Sequence, residues 1–165
     1  MSYKNKLGNI STFVFDVDGV LTNGQVLITT EGELLRSMNI KDGYALKRAS
    51  SQGYKICIIS GGTNTGVTAR LNALGITDVY LGKHNKMVVL EEYMAMHNLT
   101  KDEIAYMGDD IPDIPPLKAV GLACCPQDAA QQVKAVCDYV SHKNGGYGCG
   151  RDLIEQVLKV QGKWD

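Results

Sequence analysis

No apolar run in the sequence approaches the ~18 residues a membrane-spanning helix requires, so no such span is expected. The opening stretch, MSYKNKLGNIS, is too polar for the hydrophobic region of a secretory signal. There is no CxxC pair: the five cysteines, at 57, 124, 125, 137 and 149, are odd in number, and Cys57 lies inside the apolar run KICIIS. They read as reduced, mostly buried thiols of a soluble, cytoplasmic protein. Basic charge is not in excess either, since 17 Lys and Arg against 18 Asp and Glu leave a formal net charge of −1. Neutralising many phosphates takes a basic face, so no nucleic-acid partner is expected. Repeats, low-complexity tracts and linkers are also missing. The 165 residues suffice for one core that buries roughly 70% of the unfolded surface and are short for two, which predicts one domain over 1–165.

What is present is an alternation. Short β-branched or aromatic runs at Thr12–Val17, Lys55–Ile59, Asp78–Leu81, Ile104–Met107 and Gly121–Cys124, with an edge at Asp138–Val140, read as strands. Helical patterns fall between and after them, at Gly43–Gln52, Thr65–Leu74, Lys86–His97, Pro112–Ala119, Ala129–Val136 and Arg151–Val160. Thr100 and Glu103 form a capping-box pattern before an apolar run, read as one turn. This alternation predicts an α/β fold: a mainly parallel sheet with helices on both faces and ligands beyond the carboxyl ends of its strands. Residues 23–39 break the pattern. They read as an inserted β-hairpin, with strands Gln25–Thr29 and Leu34–Met38 turning over Thr30–Glu33. A bare hairpin is marginal alone, so its apolar side chains are expected to meet another subunit.

Chemistry-bearing residues sit just after the apolar runs: DVDG after the first, SGG after the second, GDD after the fourth. Asp16 and Asp18 are two positions apart, so an extended backbone turns both to one side, where they repel unless a cation intervenes. Asp109, Asp110 and Asp113 would join them from a neighbouring strand end. Five carboxylates at one edge call for a hard divalent cation, and carboxylates with waters suit Mg²⁺. A calcium EF-hand loop is excluded, because counting from Asp16 puts Leu21 where glycine belongs. Ser60 and the Gly61 backbone could hold phosphate oxygens, and Lys86 could balance a nucleophilic carboxylate and a phosphoryl group. Together these parts describe phosphoryl transfer through an aspartyl-phosphate. Arg70, Lys41 and Arg151 are further candidates for holding an anionic substrate. The glycine-rich loop at 143–151 reads as a flexible tail able to swing over the site.

In this order, DVDGVLT, the serine of IISGG, Lys86 and GDDIPD resemble the four signature motifs of the haloacid dehalogenase superfamily of phosphohydrolases. The resemblance implies a Rossmann-like three-layer fold with Asp16 as nucleophile and Asp18 as general acid/base. It also implies Ser60 and Lys86 on phosphate, and Mg²⁺ held by Asp16, the backbone carbonyl of Asp18, and Asp109. Asp110 and Asp113 would support those ligands from behind. NIKDGYALK, LNALGI, LGKHNK, GLACCPQDA and NGGYGCGRD extend the resemblance, over essentially the whole chain, to the 3-deoxy-D-manno-octulosonate 8-phosphate phosphatases of lipopolysaccharide biosynthesis. Only 43 residues separate Asp16 from Ser60 and 25 separate Ser60 from Lys86, which is too few for a cap domain. By the same resemblance the chain would form a homotetramer in which one subunit's hairpin covers its neighbour's site. Relatives acting on nine-carbon sugar acid 9-phosphates resemble it too, but with glutamate where this chain has Gly62, and other octulosonate phosphatases have arginine there. A nine-carbon substrate and a non-catalytic module of the same fold remain alternatives at this level. A response-regulator receiver fits less well, because its phosphorylated aspartate lies on a later strand.

Overall fold

The apolar runs pair side by side. In the computed structural model, which describes residues 2–165, the strands are β1 (Thr12–Phe15), β2 (Leu27–Ile28), β3 (Leu34–Leu35), β4 (Lys55–Ile59), β5 (Asp78–Tyr80), β6 (Ile104–Met107), β7 (Leu122–Cys125) and β8 (Tyr139–Val140). Six of them make one parallel sheet in the order β5-β4-β1-β6-β7-β8. The helices are α1 (Ile40–Ser51), α2 (Thr65–Ala73), α3 (Lys86–Met96), α4 (Ile114–Ala119), α5 (Gln131–Lys134) and α6 (Cys149–Val160).

Strand periodicity divides the core in two, because alternate side chains leave opposite faces of the sheet. Phe13, Phe15, Ile56, Ile58, Ala105 and Met107 pack with α1, α2 and α6 on one face. Val14, Cys57, Ile59, Tyr106 and Ala123 pack with α3, α4 and α5 on the other. All five cysteines are free thiols, four of them buried. No helix among the described residues is long and apolar enough to cross a membrane.

The differences from the sequence reading lie at element ends, where capping and tertiary contacts decide. β1 stops at Phe15 rather than Val17, and the chain enters a wide turn over Val17–Leu21, closed by the Thr22 N–H on the Val17 carbonyl at 3.0 Å. α1 begins earlier than expected, at Ile40, because the Asn39 side chain caps it by accepting the Lys41 N–H at 2.8 Å. The helix expected over Pro112–Ala119 is a 3₁₀ turn, Ile111–Asp113, followed by α4, and α5 is only four residues long. A 3₁₀ segment at Tyr3–Asn9, which the sequence reading left unassigned, buries Leu7. Thr100 and Glu103 do make a capped turn: the Glu103 carboxylate accepts both the Thr100 N–H and its hydroxyl at 2.8 Å.

The inserted hairpin is antiparallel, but each strand has only two residues. Its turn is closed by Thr29 N–H to Glu33 O and Gly32 N–H to Thr29 O, each at 3.0 Å. Gly32 adopts a φ of +81°, which glycine tolerates best. Leu27 and Ile28 are each 68% exposed.

Candidate active site

β1 is the strand from which the chain departs to β4 on one side and, later, to β6 on the other. A crevice opens at such a switch point, beyond the carboxyl ends of the strands. Asp16 sits there, its N–H donating to the Met107 carbonyl of β6 at 3.1 Å, which brings the GDD segment alongside. A cavity of about 430 Å³ collects Asp16, Asp18, Ser60, Gly61, Lys86, Asp109, Asp110 and Asp113, all read from the sequence, together with Gly62, Lys83 and His84.

The two carboxylates of DVDG do not share one cation. Asp16 Oδ2 lies 3.0 Å from Lys86 Nζ, whereas Asp18 is held by Arg36, with Nε to Oδ1 at 2.8 Å and Nη2 to Oδ2 at 3.1 Å. Nothing in the sequence reading singled out Arg36. Lys86 is 5% exposed and opens α3, where the helix dipole disfavours a cation. Its second partner compensates: Nζ donates to Asp113 Oδ1 at 2.7 Å. Burial works against the lysine's charge, but Asp16 and Asp113 outweigh it and hold the ammonium above its ordinary range.

Asp113 is fully engaged. Its Oδ1 also accepts the Tyr106 hydroxyl at 2.8 Å, and its Oδ2 accepts the N–H groups of Asp109 and Asp110 at 3.1 and 3.4 Å. A carboxylate taken by four donors has little left for a metal, although Asp16, Asp109 and Asp113 place oxygens within 4.8 Å of one another. Asp109 is the opposite case, since its buried Oδ1 has no partner. Burial, with Asp16 and Asp113 nearby, pushes the Asp109 carboxyl up to about 8. Burial and Asp113 push Asp16 up to about 7, against the pull of Lys86. Such shifts mark buried carboxylates crowded by like charge beyond what the one lysine offsets. Gly19, at φ +85°, leaves room for Asp109, because a Cβ there would fall 1.9 Å from Asp109 Oδ2. The set of hard oxygen donors around an unpartnered one fits Mg²⁺.

Ser60 follows β4, its N–H on Tyr80 O and its carbonyl accepting the Lys83 N–H, both at 2.9 Å. Its hydroxyl accepts the Gly62 N–H at 3.2 Å, so the loop presents hydroxyl and backbone to the same cavity. The other three candidates lie elsewhere. Lys41 and Arg151 line a larger groove of about 980 Å³, and Arg70 lines a third hollow with Leu35, Arg36 and Asn64. The larger groove lacks free carboxylates: Asp152 accepts the Tyr139 and Ser141 hydroxyls, and Glu155 pairs with Arg151 and Lys159. The Arg151 guanidinium lies over the rings of Tyr44 and Trp164 rather than toward the acidic cavity. The glycine-rich loop is tied down, with Gly145 N–H on Asp128, Gly146 N–H on Val20 O, and Arg151 N–H on the buried Asp42.

Residues 72–149 match the haloacid dehalogenase-like hydrolase family. The 3-deoxy-D-manno-octulosonate 8-phosphate phosphatase of Escherichia coli (strain K12) is 34% identical over 160 residues, 97% of this chain and 85% of that protein. The chain belongs to that phosphatase family. Solved structures agree with the assignment. The Yersinia pestis family member superposes with a TM-score of 0.95 at 32% identity, covering 98% of this chain and 87% of that one. The Moraxella catarrhalis member, in complex with a magnesium ion, a phosphate ion and a KDO molecule, gives 0.95 at 31% identity over 99% and 91%. Family membership accounts for a fold in which Asp16, Ser60, Lys86 and Asp109 come from separate elements yet face one cavity.

Proposed function

We propose that the chain is a magnesium-dependent phosphatase that releases free 3-deoxy-D-manno-octulosonate from its 8-phosphate in lipopolysaccharide biosynthesis. The observation that carries the reading is the division between the two DVDG carboxylates. In one cavity, Asp16 is paired with Lys86 beside Asp109, while Asp18 is paired with Arg36. Two carboxylates with different partners suit two chemical roles.

Asp16 attacks phosphorus and becomes an aspartyl-phosphate as the bond to the sugar oxygen breaks. Asp18 gives its proton to that leaving oxygen and then takes one from the water that hydrolyses the intermediate. Ser60, the Gly61 backbone and Lys86 hold the phosphoryl oxygens. Asp16, Asp109 and the backbone carbonyl of Asp18 would hold Mg²⁺, which neutralises charge on those oxygens when bound. Asp113 keeps Lys86 and the Asp109 backbone in place through its four hydrogen bonds. Lys41, Arg70 and Arg151 would reach the substrate only from their neighbouring grooves. The free thiols support a cytoplasmic enzyme. The exposed Leu27 and Ile28 support a homotetramer in which this hairpin covers a neighbour's site.

The test is inorganic phosphate release, with and without Mg²⁺, from the octulosonate 8-phosphate, a nine-carbon sugar acid 9-phosphate and a hexose phosphate. A metal-dependent preference for the first is expected. Preference for the nine-carbon compound reassigns the substrate, and no turnover of any of them makes the chain a binding module.

A further inference from the structure

The guanidinium on Asp18 is delivered by the hairpin, not by the sheet. Arg36 follows β3, and its Nη1 donates to the Leu34 carbonyl at 2.9 Å. That carbonyl also accepts the Asn64 side chain at 2.8 Å. Asn64 in turn caps α2, so the base of the hairpin is fastened beside the Ser60–Gly62 loop. The Arg36 side chain is only 9% exposed. It borders a hollow of about 470 Å³ that shares Gly61 and Gly62 with the acidic cavity. Gly62 leaves that pair uncrowded, since a Cβ there would stand 3.2 Å from Asp18 Oδ2 and 3.3 Å from Arg36 Nη2.

A sugar acid phosphate brings two anions, whereas Lys86 is already committed to Asp16 and Asp113. Of the arginines near the site, Arg151 lines a separate groove, and Arg70 shares a hollow with Arg36, but it is Arg36 that bonds a carboxylate of the acidic cavity. Arg36 is already in a bidentate embrace with a carboxylate, and a substrate carboxylate has the same shape and charge. Resting on the sugar-acid reading above, we propose that Arg36 is the specificity-determining residue: its guanidinium exchanges Asp18 for the substrate's carboxylate. The sugar acid thereby frees Asp18 to face the leaving oxygen as it binds. A phosphate ester without a carboxylate leaves Asp18 clamped, so discrimination enters kcat as well as KM.

The test compares wild type, Arg36→Ala and Arg36→Lys on paired phosphate esters with and without a carboxylate. The pairs are 6-phosphogluconate with glucose 6-phosphate, and the octulosonate 8-phosphate with mannose 6-phosphate. Arg36→Ala is expected to lower kcat/KM on carboxylated substrates by about 10- to 100-fold and to raise kcat on the plain sugar phosphates, because Asp18 is no longer clamped. Arg36→Lys, which keeps the charge without the fork, is expected to fall between, and melting curves check that both variants fold. An equal fall on both substrate classes makes Arg36 only a support for Asp18 and overturns the inference, as does no change on either. A wild type that hydrolyses 6-phosphogluconate but not the octulosonate 8-phosphate sinks the substrate reading and leaves Arg36 to be judged on the first pair. A wild type with no preference for the carboxylate overturns the Arg36 assignment itself.

Discussion

At the scale of single residues, the acidic cavity is a set of charges placed against their own interest. Asp16 and Asp109 are held up to about 7 and about 8 because burial and neighbouring carboxylates oppose their ionisation. Replacing Asp16 by asparagine removes one of those charges and keeps the shape. Turnover is expected to drop by about 10⁴-fold or more, while the melting temperature of the metal-free protein holds or rises. Activity near wild type would remove Asp16 from the nucleophile's place. The carboxylates, Ser60 and Lys86 were legible in the sequence because each follows an apolar run or opens a helix, so topology alone brings them to one edge. Arg36 was not. It is a single charge in the hairpin's expected second strand, and its place depends on a contact between Leu34 and Asn64 that no local pattern announces.

Elements tell the same story with different reasons. The six parallel strands were readable because buried strands are continuous apolar runs, and period two sorts their side chains to two cores. Ends were less readable: α1 starts at Ile40 because of the Asn39 cap, and β1 ends early because Gly19 admits the wide turn that seats Asp109. The glycine-rich loop looked mobile from composition. It is anchored because Gly145 and Gly146 lie against the backbone of Gly19, Thr22 and Asn23, too close for any side chain. The hairpin keeps its apolar tip in solvent, so the paired change Leu27→Asp and Ile28→Asp costs the protomer little. Light scattering is expected to show a smaller assembly, with kcat/KM on the sugar acid phosphate down about tenfold as the neighbour's site loses its cover. An unchanged mass with unchanged activity would take the hairpin out of the assembly.

For the whole molecule, the site makes stability depend on pH and metal together. A carboxyl whose pKa is raised on folding stabilises the fold below its unfolded value, and that stability is lost as pH climbs through the folded value. With Asp16 and Asp109 raised to about 7 and about 8, the metal-free protein should weaken from pH 5 toward pH 8. Mg²⁺ favours the ionised forms, so its stabilisation grows over the same interval. The melting-temperature gain on adding Mg²⁺ is therefore expected to be larger at pH 8 than at pH 5.5, and an equal gain would place the metal away from these two residues. The strand order carries a consequence for biosynthesis. β1 leaves the ribosome first, yet its partners are β4 and β6, made much later. Until Ile104–Met107 emerges, the nascent chain carries the FVFDVDG segment with one unpaired edge, which makes it a natural client for a chaperone that shields exposed strands.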